Sequence, residues 1–364
     1  MTHARTCAHQ PLNTIDLFSG IGGISYALRD IVRPLLYCDI DPNAQRVLKA
    51  RMRSGHLQTA PIVDDVRQGG VIGQHVSGQA VDLVISSSSC VGFSWAGDKQ
   101  GLENPETGMM VETMRLIDRF RPSMVFMENV PGIRTVNGGA DLRQITQIFK
   151  DIGYVLHHDL FSARDVGAWH MRKRWFCLAA RIGAPKPDIL AACSELEAPR
   201  LQPWNDTGAS PSQMTIEGTR AKRARMHMLG NSVVPACVRH AFFTLAQRAF
   251  DFSVTLSTGV VVRKPRDLRI EIDPHKPGLP VPNRQGKATS GLMTDKKMLR
   301  QYPTPRAQNS SASGRLTVRC SQDLCTVVKF QTGVPWTYGS MVNPQFIEFL
   351  MGFPTDFTLV EDGA

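Results

Sequence analysis

The stretch from Thr14 to Arg29 constrains this chain most. An apolar run stops at Asp16-Leu17-Phe18, turns through Ser19-Gly20-Ile21-Gly22-Gly23 and then takes up a helical pattern. Strand, glycine turn and helix in that order form the opening unit of an open α/β sheet. Glycines there let backbone come close to a ligand, and the first N–H groups of the helix lack intrahelical acceptors and face it. The spacing is not the G-x-G-x-x-G of dinucleotide folds, which argues against a nicotinamide cofactor. Later runs follow the same logic: Leu35 to Cys38 is closed by Asp39, Ile62-Val63 by Asp64 and Asp65, Val81 to Ile85 by a serine run and Cys90, and Met124 to Met127 by Glu128. Helical patterns lie between several of these runs. The expected fold class is α/β, a mainly parallel doubly wound sheet with its ligand beyond the carboxyl ends of the strands.

Length and composition allow one large core plus a smaller domain: 364 residues, 42% hydrophobic and 20% charged. A net charge of +10 favours an anionic partner, of which nucleic acid is the commonest for a basic globular protein. The eight cysteines are scattered, several inside apolar runs, which suits a reducing compartment better than a disulfide framework. Cys320 and Cys325 are the only close pair, and no histidine cluster joins them, so no metal is expected. No run approaches the length of a membrane span. The expectation is a soluble protein that is not secreted, cytoplasmic or at the nucleoid or nucleus according to host.

Each strand end has a bland reading beside a chemical one. Cys90 on its own reads as a small buried hydrophobe, although a thiolate there would be a nucleophile. Asp41 is expected to cap the helix that Pro42 begins. That leaves Asp39 to accept hydrogen bonds from ribose hydroxyls, and Asp65 to meet an adenine amino group. Glu128 interrupts an apolar run; if its strand runs parallel to the one before Cys90, an acid and a nucleophile face one crevice. Gly92, Gly97, Gly101 and Gly108 punctuate a loop that could close as a lid or sit fixed on the surface. Arg172 and Arg174 alternate and so share one side of an extended segment, where they would hold a polar ring edge or a phosphate. Solvated arginines on an edge strand are the alternative.

Helices are expected over Thr107 to Phe120, Asp141 to Ile152 and Ala236 to Phe250, and strands over Tyr154 to Phe161 and Trp175 to Ala180. The expected domains are a core over 12–182, a linker or loop region over 183–225, a helical return to the core over 226–250, and a small irregular domain over 251–364. Near its end, Asn343 to Pro354 reads as a short helix and a turn.

Together, Asp16 to Gly23, Asp39, Asp65, Cys90 with Phe93 and Ser94, Glu128-Asn129-Val130, Arg172-x-Arg174 and Gly230-Asn231-Ser232-Val233 resemble, in the right order, the motifs of the cytosine-5 DNA methyltransferases. The C-terminal segments Tyr302 to Arg306 and Asn343 to Pro354 are similar to those of phage and large-virus members. The resemblance implies a core of the S-adenosylmethionine-dependent methyltransferase type with a smaller target-recognition domain and double-stranded DNA as partner. A monomer is expected, and restriction partner, viral modifier and epigenetic writer stay open as roles. It implies S-adenosyl-L-methionine held by Phe18, Ser19, Gly20, Ile21, Gly22, Gly23, Asp39, Ile40, Asp65, Val66, Asn231 and Ser232. It further implies that Cys90 attacks C6 of a flipped-out cytosine, Glu128 manages a proton at N3, Arg174 holds O2 and Arg172 supports the Cys90 loop. Where the family writes Pro-Cys-Gln, this chain has Ser89-Cys90-Val91. Without proline the loop is less pre-organised, so reduced or conditional activity is expected. A catalytically silent DNA-binding relative and an RNA cytosine-5 methyltransferase stay open as alternatives.

Overall fold

The computed structural model describes residues 10–88, 109–168, 170–185, 187, 215–217, 219–250, 254–255, 261–262 and 340–360. The expected lid loop and Cys90 lie outside the described residues.

Seven strands form the main sheet: β1 (Leu12–Leu17), β2 (Val32–Cys38), β3 (Ile62–Val63), β4 (Leu83–Ser86), β5 (Met124–Asn129), β6 (Tyr154–Ser162) and β7 (Lys173–Arg181), in the order β3-β2-β1-β4-β5-β7-β6. Pairs along β3-β2-β1-β4-β5 are parallel, and β7 runs antiparallel to both neighbours. The strand order reverses between β1 and β4. In open α/β sheets the ligand crevice lies at such a switch point. β7 is an interior strand, which excludes the edge-strand reading of the two arginines.

Side chains alternate across the sheet with the two-residue period of strands. Leu83, Ile85, Met124, Phe126, Phe176 and Leu178 join the core on one face, and Ile15, Leu17, Val84, Val125, Met127 and Cys177 the core on the other. The helices are α1 (Gly23–Ala27), α2 (Pro42–Arg53), α3 (Gly69–Val76), α4 (Met109–Phe120), α5 (Ala140–Asp151), α6 (Arg220–Asn231), α7 (Pro235–Phe250) and α8 (Pro344–Met351). α1, α7 and α8 cover the first face, and α3, α4 and α5 the second. Asp41 caps α2 as expected: its Oδ1 accepts from the Asn43 N–H at 2.9 Å, with Pro42 in the first turn.

The structure differs from the expected organisation in three places. The basic run Arg220 to Arg225, assigned to a linker over 183–225, opens α6, with the Thr219 side chain accepting from the Lys222 N–H. The helical return over 226–250 is two helices broken at Ser232 to Val234. Likewise, the end of the segment 251–364 is part of the core. Strand β9 (Ser340–Val342) pairs antiparallel with β8 (Thr215–Glu217), and Met341, Val342, Phe346, Ile347, Leu350, Met351, Phe353 and Phe357 are buried in the first core. Burial of those apolar side chains is the physical reason, and an ion network is buried with them. Glu348, fully buried, accepts from Arg225 Nη2 at 2.9 Å, from the Asp356 and Thr358 N–H groups at 2.7 and 2.8 Å, and from the Thr358 hydroxyl. A buried carboxylate is tolerable only when its oxygens are satisfied in this way.

Candidate active site

The turn after β1 is held by short-range bonds. The Ser19 hydroxyl donates to the Asp16 carbonyl at 2.7 Å and accepts from the Cys38 N–H at 3.1 Å, tying the ends of β1 and β2 together. Asp39 pins the turn from the other side, Oδ2 accepting from the Gly20 N–H at 2.7 Å and Oδ1 from the Asp41 N–H at 2.9 Å. Phe18 and Gly20 both have φ of 53° and Gly22 has 78°, left-handed conformations that bring the backbone sharply round into α1. Below the turn, Asp16 is buried and bonded to the Ser25 hydroxyl at 2.5 Å. Burial, offset in part by Ser25 and reinforced by the charge of Asp39, pushes the Asp16 carboxyl up to about 7.

This turn forms one wall of a cavity of about 410 Å³. Phe18, Ser19, Gly20, Ile21, Gly23, Asp39, Ile40, Asp65, Val66, Asn231 and Ser232 line it, as does Glu128. Gly22 does not. A Cβ there would lie 2.6 Å from Leu57 Cδ1 and 3.1 Å from Leu48 Cδ2, so Gly22 permits close packing on the far side of the turn. At Gly20, by contrast, a Cβ would meet nothing within 4 Å. Burial raises the Asp39 carboxyl, although the Asp41 and Gly20 N–H groups oppose it. Asp65 sits in the wall with both oxygens engaged by Arg67, at 3.0 Å from Nε to each and 2.5 Å from Nη2 to Oδ2, and this pairing lowers its pKa. A ligand amino group at Asp65 would therefore share the carboxylate with a guanidinium.

The opposite wall is assembled over long range. The end of β5 carries Glu128, buried, with Oε1 2.8 Å from Arg174 Nε. Burial raises the Glu128 carboxyl, and the charges of Arg174 and then Arg172 oppose the rise. Both arginines thus act on one carboxylate, as their alternation implies. Arg172 Nη2 donates to the Gly230 carbonyl at 2.8 Å and to the Ser232 carbonyl, so it braces the turn between α6 and α7. His170 braces Arg172 in turn: its Nδ1 accepts from the Arg172 N–H at 3.2 Å, which leaves Nε2 to donate to the Leu350 carbonyl at 2.9 Å. Burial lowers the His170 pKa to about 4, so the ring is neutral.

Because β4 and β5 are parallel, Ser86 lies beside Met127, and the chain leaving β4 runs toward Glu128. The Asn129 side-chain amide donates to the Ser88 carbonyl at 3.3 Å. Ser88 is two residues before Cys90; the position of Cys90 itself and the support expected for it from Arg172 fall outside the described residues.

Several wall residues escaped the sequence reading. Arg67, Ser87, Met109, His227 and Met228 also line the cavity. For His227 a signal existed, since it lies four residues before Asn231 and therefore on the same helix face. Arg67 carried none beyond its nearness to Asp65. Among the described residues no group of three His, Cys, Asp or Glu side chains could hold a metal ion, and no helix is long and apolar enough to cross a membrane.

A family model sets the chain beside known proteins. The model of the C-5 cytosine-specific DNA methylases matches residues 12–222. The Type II methyltransferase M.CviJI of Paramecium bursaria Chlorella virus IL3A is 28% identical over 251 residues, covering 68% of this chain and 64% of that protein. The Type II methyltransferase M.MspI of Moraxella sp is 30% identical over 185 residues, covering 49% and 42%. Among solved structures, the S. pombe Dnmt2 methyltransferase aligns over 51% of this chain and 56% of its own, at 22% identity and a TM-score of 0.38. The chain thus spans less than two thirds of the length of the curated relatives it matches. With the family model running from β1 through the first turn of α6, more than half of its length, the chain belongs to the C-5 cytosine-specific DNA methylases.

Proposed function

We propose that the chain is a DNA (cytosine-5)-methyltransferase, moving a methyl group from S-adenosylmethionine to C5 of a cytosine turned out of duplex DNA, with Cys90 as covalent nucleophile. The observation that carries this reading is that Glu128, paired with Arg174, opens onto the same cavity as the glycine turn and Asp39. A methyl acceptor and a methyl donor need such adjoining sites.

The cavity residues fit a nucleoside-bearing donor. Asp39 keeps lone pairs free on oxygens already fixed by two N–H donors, which suits ribose hydroxyls. Ile40 beside it is an apolar side chain 69% exposed in the wall, a surface on which the face of a base can rest. Phe18, Val66, Asn231 and Ser232 complete the enclosure, and Gly20 leaves room for close approach. When bound, S-adenosylmethionine supplies an electrophilic methyl carbon.

Cytosine C5 is a weak nucleophile. Addition of the Cys90 thiolate at C6 forms a sulfur–carbon bond and shifts the ring electrons to C5, which then takes the methyl group. Glu128, with its raised pKa, holds a proton at N3 and so neutralises charge that the attack pushes into the ring. Arg174 keeps Glu128 oriented, and we assign it the cytosine O2. The donor sulfonium, having lost its methyl, leaves as a thioether; loss of the C5 proton to a water base, return of the N3 proton to Glu128 and cleavage of the sulfur–carbon bond give back the Cys90 thiolate. Arg172, braced against Gly230 and Ser232, keeps the donor wall at a fixed distance from Glu128. Recognition of the target sequence we assign to residues 251–339.

Incubation with a tritiated methyl donor and duplex DNA tests the reading. Label is expected at cytosine C5, and its absence beside an active control enzyme overturns the activity. Structured RNA in a parallel arm separates the nucleic acids, since label in RNA alone would transfer the chemistry to RNA. Because Ser89 and Val91 replace the family's residues around the nucleophile, trapping on duplex DNA bearing 5-fluorocytosine decides whether the thiol adds. A covalent adduct lost in Cys90→Ala is expected, and no adduct in either protein would make the chain a silent relative.

A further inference from the structure

Helix α6 carries Arg220, Lys222, Arg223 and Arg225 in its first half and no acidic residue, and none occurs from Gly218 to Phe250. Such an arrangement works against the helix. Cations in the first turn oppose the positive end of the helix dipole, and like charges three or four residues apart repel. Arg225 is held inside the fold by its bonds to Glu348, Asp356 and Thr358. Arg220 and Arg223 are exposed.

Spacing then gives the charge a direction. Arg220, Arg223, His227 and Asn231 follow one another at three, four and four residues, so they form one stripe along the helix, and all four are exposed. Its far end is in the site: His227 and Asn231 line the cavity shared with Glu128, with Asn231 Nδ2 3.5 Å from His227 Nε2. An exposed cationic row beginning at the helix N-terminus and ending at a cavity wall matches a polyanion laid across the mouth.

We propose that this stripe is a docking surface for the phosphate backbone of duplex DNA, with Arg220 and Arg223 contacting phosphates that flank the cytosine presented to the cavity. The choice of DNA rests on the methyltransferase reading; the polyanion chemistry does not. Phosphate contacts of this kind position a duplex without reading its sequence. The unfavourable charge placement in the free protein is then offset in the complex, where counterions released from the DNA add to the attraction.

The test is binding of unmodified duplex DNA across a salt series by the wild-type chain and by Arg220→Gln/Arg223→Gln, with thermal unfolding of both. Each lost phosphate contact flattens the log–log salt dependence by about 0.9, so the double variant is expected to bind roughly 10- to 100-fold more weakly near 0.1 M salt with a slope shallower by about two. Its melting temperature should hold or rise, since repulsion has been removed. Weaker binding with an unchanged slope, or unchanged binding, overturns the proposal while leaving methyl transfer to be judged by its own assay. If the wild-type chain does not bind duplex DNA, the DNA reading and the stripe fall together. A loss seen with structured RNA but not with duplex DNA makes RNA the occupant and overturns the proposal as stated.

Discussion

The two walls of the cavity are built by different means. The glycine-turn wall, Phe18 to Gly23 with Asp39, is held by hydrogen bonds between residues at most 19 positions apart. The Glu128 wall hangs on contacts across 58, 60 and 180 positions: Arg172 to Gly230 and Ser232, and His170 to Leu350. One wall is a local motif that a short stretch of sequence can specify. The other exists only once α6, α7 and α8 have docked, so damage to it should register first as lost stability and lost site geometry together.

The largest effect is expected at the long-range wall. Arg172→Ala leaves two inward carbonyls without their donor, each costing about 1–3 kcal/mol, so urea unfolding should report a loss of roughly 3–5 kcal/mol. Arg172→Lys should recover little of it, because a single ammonium cannot match a guanidinium's planar fork of donors. Under the local wall, Asp16 should produce a pH effect of similar size. A carboxyl near 7 in the fold and 3.8 ordinarily favours folding in full below pH 3.8, and that contribution is lost as pH rises through about 7. The loss is on the order of 4 kcal/mol at 1.36 kcal/mol per unit. Asp16→Asn should flatten the stability curve over that window; an unchanged curve would show that Asp16 is not the group responsible.

Smaller effects separate the glycines. Gly22→Ala combines a left-handed φ with a Cβ 2.6 Å from Leu57, which points to about 2–4 kcal/mol in thermal or urea unfolding. Gly20→Ala meets no atom, so only the conformational cost of about 1–2 kcal/mol remains. Its new methyl should instead weaken S-adenosylmethionine binding in calorimetry, with Gly22→Ala affecting affinity less than stability. Were Arg172→Ala milder than Gly20→Ala, the contrast between a local and a long-range wall would break.

The same contrast explains what was legible in the chain. Apolar runs closed by chemical residues gave the strands, because burial on both faces demands them, and the capping of α2 by Asp41 needed only Asp41 and Pro42. Arg220 to Arg225 misled, since a run of cations reads as solvated linker unless the buried Glu348, more than 120 residues later, is known to receive one of them. At Asn343 to Pro354 the expected short helix and turn are present, but that they pack into the first core was hidden for the same reason. Gly22 looked like its neighbours in the turn, and only the approach of Leu48 and Leu57 shows that it serves packing.

By itself, then, the sequence determined a mainly parallel α/β sheet, the strand ends that carry Asp39, Glu128 and the glycine turn, and membership of a recognisable family of motifs, all of which depend on periodicity and short-range hydrogen bonding. Tertiary structure alone decided that β7 is an interior antiparallel strand, that Arg172 braces the Gly230–Ser232 turn, and that the C-terminal segment belongs to the core. Those features arise from buried groups seeking partners. Which partner satisfies a buried charge is fixed by what folding brings near it, a distance in space that spacing along the chain does not encode.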